Sequence, residues 1–417
     1  MTTPADFEQA RQSFVAGLEA QMQGRFEAAR AHYEASLARL PDRPSTLTNL
    51  SFVLLRLQQH AAAQACARRA LAVEQGNAEA LLNLGLIEKD QGRPQAAIGY
   101  FEQALACQPD YPEARWNLAL TQLLCGQFAP GWQGYESRWQ LAQAATYRHP
   151  DLPAVRDLDQ VRGRTVLVWA EQGLGDTLQF ARYVPLLIER GARVVFEVQA
   201  PLLPVLAERP GLQVVARSSA VGADLQLPLL SLPGLLGTTA ETIPPPHAPM
   251  LLPERAQAWA ARLGSREGQR HIGVACSGFA GHDHDHLRSM PLALLAPLLP
   301  HGRLFIVQRE LRERDQPWLQ AHPEVTYLGE ELQDFGDTAA VLAHMDVVIS
   351  VDTSLVHLAG SMGKPLKVLL ARDPDWRWLL DRTDSPWYPS ARLYRQGASG
   401  GWAAVVEDLV TDLSRRD

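Results

Sequence analysis

DVVISVDTSLVHLAGSMGKP, residues 346–365, is a short apolar run that turns straight into a helix at a polar tip. Val347, Val348, Ile349, Ser350 and Val351 form a β-branched stretch without alternation, the pattern of a parallel strand covered on both faces. Asp352, Thr353 and Ser354 supply helix-start chemistry, and Leu355, Val356, Leu358 and Ala359 begin a helix that Gly363 and Pro365 end. In an open α/β sheet ligands sit at the carboxyl ends of strands, and the N–H groups of the next helix start favour phosphate. One polar group can both cap a helix and hold a ligand, so Asp352, Thr353 and Ser354 are read in both ways.

The same grammar extends in both directions from this stretch. Residues 165–170 (TVLVWA) read as a strand, 171–176 (EQGLGD) as a glycine turn and 177–190 as a helix. A second strand at 194–198 follows, then a helix at 202–208 and strands near Val214 and at 225–227. A second series opens at 271–275 and runs through 304–307, 325–328, a helix at 338–345, the stretch quoted above and 366–370; residues 402–413 form a closing amphipathic helix. Alternation of this kind means parallel sheets with helices on both faces. The proline-rich run 243–249 reads as a hinge, so two βα lobes would face each other with their strand tips across a cleft.

The first third follows another rule. Ala29, Ala63 and Ala97 are 34 residues apart, Tyr33, Ala67, Phe101 and Tyr135 keep the same step, and so do Gly92 and Gly126, with Gly24 two steps before Gly92. This period, with its small, aromatic and proline positions, resembles the tetratricopeptide repeat: three copies at 10–43, 44–77 and 78–111 and a diverging fourth from Pro112. Small residues let paired helices approach and aromatics fill the gap between pairs. Such arrays leave a concave surface suited to an extended peptide, so a protein or peptide partner, or a homo-oligomer, is expected. Phe128, Trp132, Tyr135 and Trp139, at spacings of three and four, are expected as a seam against the next domain.

Bulk composition bounds the rest. A chain of 417 residues exceeds one ordinary core, and 46% hydrophobic with 20% charged residues is the balance of a globular protein. A net charge of −7 without a basic stripe argues against nucleic acid or an anionic membrane as partner. The start, MTTPADFEQARQSF, has no leader character and no apolar run is long enough to span a bilayer, so a cytoplasmic location is expected. Cys66, Cys107, Cys125 and Cys276 form no CxxC pair and read as reduced core residues, with no zinc site. The expected division is a repeat domain at 1–145, an acceptor-side lobe at 146–250 and a donor-side lobe at 251–417.

Gly173-x-Gly175 invites a dinucleotide reading, with Glu197 near the place of a ribose-binding acid. Leu178 occupies the third glycine position, however, and Asp176 would set a carboxylate beside a pyrophosphate. An exposed Asp at a helix start is better placed to accept a proton from a hydroxyl, or simply to cap. Residues 171–176, followed by a helix with Pro185, resemble the acceptor-lobe loop of the ADP-heptose heptosyltransferases, and Asp352-Thr353-Ser354-x-x-His357-Leu358-Ala359 resembles their donor-lobe DTGxxHLAA motif. The whole chain resembles bacterial proteins that join tetratricopeptide repeats to a heptosyltransferase-like glycosyltransferase module, and the segments 375–378 (DWRW) and 384–388 (DSPWY) fit that group.

The resemblance implies an α plus α/β chain: a helical repeat array followed by a GT-B pair of Rossmann-like βα lobes. It also implies an inverting, metal-independent transfer of a sugar from a nucleotide-diphosphate donor, with that nucleotide sugar as co-substrate and no cofactor. By position, Asp176 would be the general base, with Gln172, Gly173 and Gly175 in the acceptor loop. Thr353 and Ser354 would hold the diphosphate, Asp352 would contact the donor sugar, and His357 would either support the phosphate site or serve as a packing histidine. In the loop 277–289 (SGFAGHDHDHLRS), His282, Asp285, Arg288 and Ser289 fit the family's pattern, with Ser289 on the donor side and Arg288 neutralising the departing diphosphate. Cys276, Phe279 and His286 depart from it. The alternating His282-Asp283-His284-Asp285-His286 has the residue types of a transition-metal site but no second ligand cluster, and a solvated loop is the expectation. The competing reading is a repeat-based scaffold whose transferase-like module has lost catalysis and kept nucleotide binding.

Overall fold

The computed structural model describes residues 3–142, 147–206, 209–217, 222–266, 268–281, 285–397 and 400–415. The chain divides into two compact units, Met1–Ala144 and Ala145–Asp417.

The first unit is built from helix pairs: Pro4–Met22 with Phe26–Arg39, Pro44–Arg56 with His60–Val73, Ala78–Asp90 with Pro94–Cys107, and Pro112–Leu124 with Phe128–Tyr135. The first helix starts at Pro4, where Thr3 and Asp6 form a capping box and Pro4 occupies the first turn. Within each pair the 34-residue step has a packing cause. A Cβ on Gly85 would lie 2.3 Å from the Phe101 ring and one on Gly17 2.5 Å from the Tyr33 ring, so each glycine admits an aromatic from the partner helix. The corresponding residue of the second repeat is Ser51, whose hydroxyl donates to the Ala63 carbonyl at 2.8 Å beside the small Ala67. Phe128, Trp132 and Tyr135 are buried, and Tyr135 packs against Trp116 with ring centroids 4.8 Å apart.

The second unit holds two parallel sheets. Strands β1 (Thr165–Trp169), β2 (Arg193–Val198), β3 (Leu212–Ala216) and β4 (Leu225–Pro228) lie in the order β3-β2-β1-β4. Strands β5 (His271–Ala275), β6 (Arg303–Ile306), β7 (Thr326–Tyr327), β8 (Val347–Val351), β9 (Leu366–Leu370) and β10 (Ala391–Arg395) lie in the order β10-β9-β8-β5-β6-β7. All pairings are parallel. All five β8 residues are buried, as the unbroken β-branched run requires. The strand order reverses between β1 and β4 in one lobe and between β5 and β8 in the other, and a crevice opens at such a reversal.

Two helical expectations are corrected by proline. Residues 200–205 form a 3₁₀ turn, Ala200–Val205, because Pro201 and Pro204 remove N–H donors; residues 207 and 208 lie outside the described residues. The helix expected at 177–190 is broken into Leu174–Phe180, a 3₁₀ turn and Val184–Glu189, with Pro185 in the first turn of the last piece. Among the described residues no helix is long and apolar enough to cross a membrane.

Candidate active site

On the first lobe, β1 runs into the glycine turn and the Leu174–Phe180 helix. Asp176 sits in the first turn of that helix. Its Oδ2 accepts the Gly173 N–H at 2.8 Å, and its Oδ1 is ion-paired with the Arg377 guanidinium from the second lobe. Gln199, just past β2, braces the turn by donating to the Gln172 carbonyl at 2.8 Å and accepting from the Thr177 hydroxyl at 2.9 Å. A Cβ on Gly175 would fall 2.7 Å from His357 Cδ2, so only glycine lets the helix starts of the two lobes come this close. Glu197 is fully buried and faces Arg148 and His149, the latter at 3.3 Å. Committed to that ion pair, it is not presented to a ribose, and this removes the dinucleotide reading.

On the second lobe, β8 leads into the Ser354–Ser361 helix, capped by Thr353, whose Oγ1 accepts the Leu355 N–H at 3.3 Å. Asp352, Thr353, Ser354 and Leu355 all line the cleft. Burial, then repulsion from Asp375, pushes the Asp352 carboxyl up to about 6, against the pull of Trp378, Arg288 and Arg377. His357 shares a 2.9 Å hydrogen bond between Nδ1 and the Tyr388 hydroxyl, and its ring is stacked on Trp378 with centroids 6.0 Å apart. Burial and the charges of Arg377, Arg182 and Arg288 hold its pKa well below the ordinary histidine range, so it is a neutral imidazole. Packing and a position on the cleft wall coincide in this residue.

The loop after β5 is organised by Asp285. Its carboxylate takes the Ser289 hydroxyl at 2.8 Å, Arg288 Nε at 3.2 Å and Arg312 at 2.6 Å. Ser289 also accepts the Gly278 N–H at 3.2 Å, so Asp285 and Ser289 brace the loop from within and line a separate hollow of about 600 Å³ with His286 and Arg312. Arg288 lies on the cleft side, its Nη2 placed 2.6 Å from where a Gly278 Cβ would be. Cys276 is part of the apolar core of this lobe, and burial pushes its thiol up to about 12. His282, with Asp283 and His284, lies outside the described residues; among the described residues no group of three or more His, Cys, Asp or Glu is placed to hold a metal ion.

The expected residues therefore divide. Gln172, Gly173, Gly175, Asp176, Arg288, Asp352, Thr353, Ser354 and His357 converge on one cleft of about 830 Å³ between the lobes, whereas Asp285 and Ser289 stand behind it. Arg377, in the DWRW segment, received no role from sequence reasoning. Its guanidinium reaches Gln179 Oε1 at 2.6 Å, Asp375 at 2.8 Å and Asp176. Arg182 crosses the other way, donating to the Trp387 carbonyl at 2.9 Å, and Phe180 packs on Trp387 with centroids 5.8 Å apart. Chemically, a carboxylate on one wall faces a helix start and an arginine on the other: one side suits a hydroxyl that gives up its proton, the other a phosphate.

A tetratricopeptide repeat model matches residues 53–112 and 84–128, and a model described as glycosyltransferase family 9 (heptosyltransferase) matches residues 322–378, which include Asp352 to His357 and Arg377. Asp176 and Arg288 lie outside the matched segment. Protein FlbA of Caulobacter vibrioides is 26% identical over 460 residues, covering 92% of this chain and 74% of its own. Among solved structures, the Arabidopsis OM64 TPR domain aligns with 28% of this chain and 97% of its own at 18% identity and a TM-score of 0.27. A MamA protein aligns with 32% of this chain and 73% of its own at 22% identity and a TM-score of 0.29.

Proposed function

We propose, for a chain that joins tetratricopeptide repeats to a glycosyltransferase family 9 domain, that it transfers a sugar from a nucleoside-diphosphate donor to an acceptor hydroxyl with inversion and without a metal or other cofactor. The observation that carries the reading is that Asp176 on one wall of the cleft faces Arg288 and the Thr353–Ser354 helix start on the other. In this reading Asp176 accepts the proton of the attacking hydroxyl. Its carboxylate has about four lone-pair directions, so the Gly173 and Arg377 contacts orient it and leave room for the acceptor. Inversion follows if the hydroxyl attacks the anomeric carbon directly from the face opposite the diphosphate, whose growing charge Arg288 and the helix start take up. Asp352, at the mouth of the same helix, would hold donor-sugar hydroxyls. The repeats would bring a protein partner or the acceptor.

The test is release of nucleoside diphosphate from ADP-, UDP-, GDP- and CDP-sugars with hydroxyl acceptors. D176N should lower kcat by about 10²–10⁴-fold, the range of a general base, while nucleotide affinity stays within a few-fold. A wild-type protein inert toward every donor and binding no nucleotide would sink the proposal. One observation favours a second reading, a scaffold that binds nucleotide without turnover: both Asp176 oxygens already have partners. Nucleotide binding without release from any donor would select it.

A further inference from the structure

Phe279 is the most exposed aromatic ring among the described residues, 66% accessible, and it lines the cleft rather than the outer surface. An aromatic ring left in water on the wall of a cleft is apolar area awaiting cover. Its surroundings are built rather than incidental. A Cβ on Gly281 would lie 2.6 Å from the ring, so one side of the ring rests on a backbone that only glycine keeps low enough. At the adjoining Gly278 the absent Cβ leaves the space in which the Arg288 guanidinium lies. The loop thus sets a guanidinium and a free ring at neighbouring residues, and both face the cleft.

We infer that Phe279 is the stacking platform for the nucleobase of the donor, an inference that rests on the reading of the cleft as a nucleoside-diphosphate site. A diphosphate that meets Arg288 and the Thr353–Ser354 helix start carries a nucleoside on one side, and the exposed ring beside Arg288 is the surface that nucleoside meets. Arg288 recognises the phosphates, and Phe279 distinguishes a nucleotide from bare pyrophosphate. Stacking accepts any base, because every base has a π face, so the ring supplies affinity and leaves base choice to other contacts.

Calorimetric titration with inorganic pyrophosphate and with ADP, GDP, UDP and CDP tests this on wild type, F279A, F279W and R288A. At least one nucleotide should bind wild type about tenfold or more tighter than pyrophosphate. F279A should erase that difference while pyrophosphate affinity and melting temperature hold, F279W should keep it, and R288A should weaken both ligands. Nucleotide binding unchanged in F279A would overturn the platform and leave the donor-site reading standing. Loss of pyrophosphate binding in F279A would also overturn it, making the ring a prop for the loop. If wild type binds neither ligand, the donor-site reading and the platform fall together.

Discussion

At Asp352 a carboxyl that ionises near pH 4 in an unfolded chain keeps its proton up to about pH 6 in the folded one, through burial and the nearby Asp375. Between those values the folded state binds the extra proton, so stability falls as the pH rises across that window and levels off above it. D352N removes the charge at almost constant shape. It should flatten this slope and raise stability at pH 7.5 by about 1–2 kcal/mol, while weakening donor-dependent activity. Urea unfolding at several pH values between 4 and 7.5 measures it, and an unchanged slope in D352N would place the titration elsewhere. Asp352, Thr353 and Ser354 were legible because helix-start chemistry and strand-tip position are both local properties of residues 346–365. Arg377 was not, since its meaning lies in Asp176, 201 positions away, and no local pattern carries such a partner. The partner of Ser289 is not a local signal either: its hydroxyl donates to Asp285, and that contact appears only in the folded loop.

Among the elements of the repeat array, the turn between paired helices shows where the 34-residue step is kept and where it lapses. Gly24, Gly92 and Gly126 have φ of +70°, +73° and +76°, and at the matching place in the second repeat Gln58 has φ of +60°. The backbone adopts one left-handed turn in all four, and only Gln58 meets it with a Cβ. Gln58 is exposed, so little packing is lost on truncation. Q58G should therefore stabilise the chain by about 0.5–1 kcal/mol, the relief of left-handed strain less the entropy that glycine loses. Urea unfolding of the full chain against wild type, with G92A as a variant expected to destabilise, checks both signs; a destabilised Q58G would mean that the glutamine side chain holds that turn. The helix pairs were readable because the small and aromatic partners recur at a fixed step, and β8 because a buried parallel strand has no alternation. Strand β10 escaped notice. It carries charged Arg392 and Arg395 on an edge beside β9, and its partner residues Lys367 and Asp412 lie in other elements.

In the second unit as a whole, the two lobes are joined where the Leu174–Phe180 helix packs on the Ser354–Ser361 helix and Ala200–Val205 on the Phe335–Ala343 helix, and the candidate base is part of that joint. Arg377 of the second lobe spans Gln179 and Asp176 of the first, with its guanidinium 4.5 Å over the Trp376 ring, while Arg182 and Phe180 return the contact to Trp387. A βα sheet could be inferred from each half separately, but which helix faces which depends on pairs such as Gly175 and His357 that share no sequence neighbourhood. Because Arg377 is nearly buried, removing it leaves the Asp176 carboxylate without its counter-charge. R377Q should destabilise by about 2–4 kcal/mol, and R377K should recover less than half of that, since an ammonium cannot hold three partners in one plane as the guanidinium does. The D176N/R377Q double variant should be less destabilised than the sum of the singles by about 1–3 kcal/mol. Denaturant unfolding gives the cycle, and hydrogen exchange at residues 174–180 and 376–378 locates the loss at the seam between the lobes. Additive effects, or an R377Q within about 0.5 kcal/mol of wild type, would mean that the lobes are held by the aromatic contacts and that Asp176 is oriented by its own turn alone.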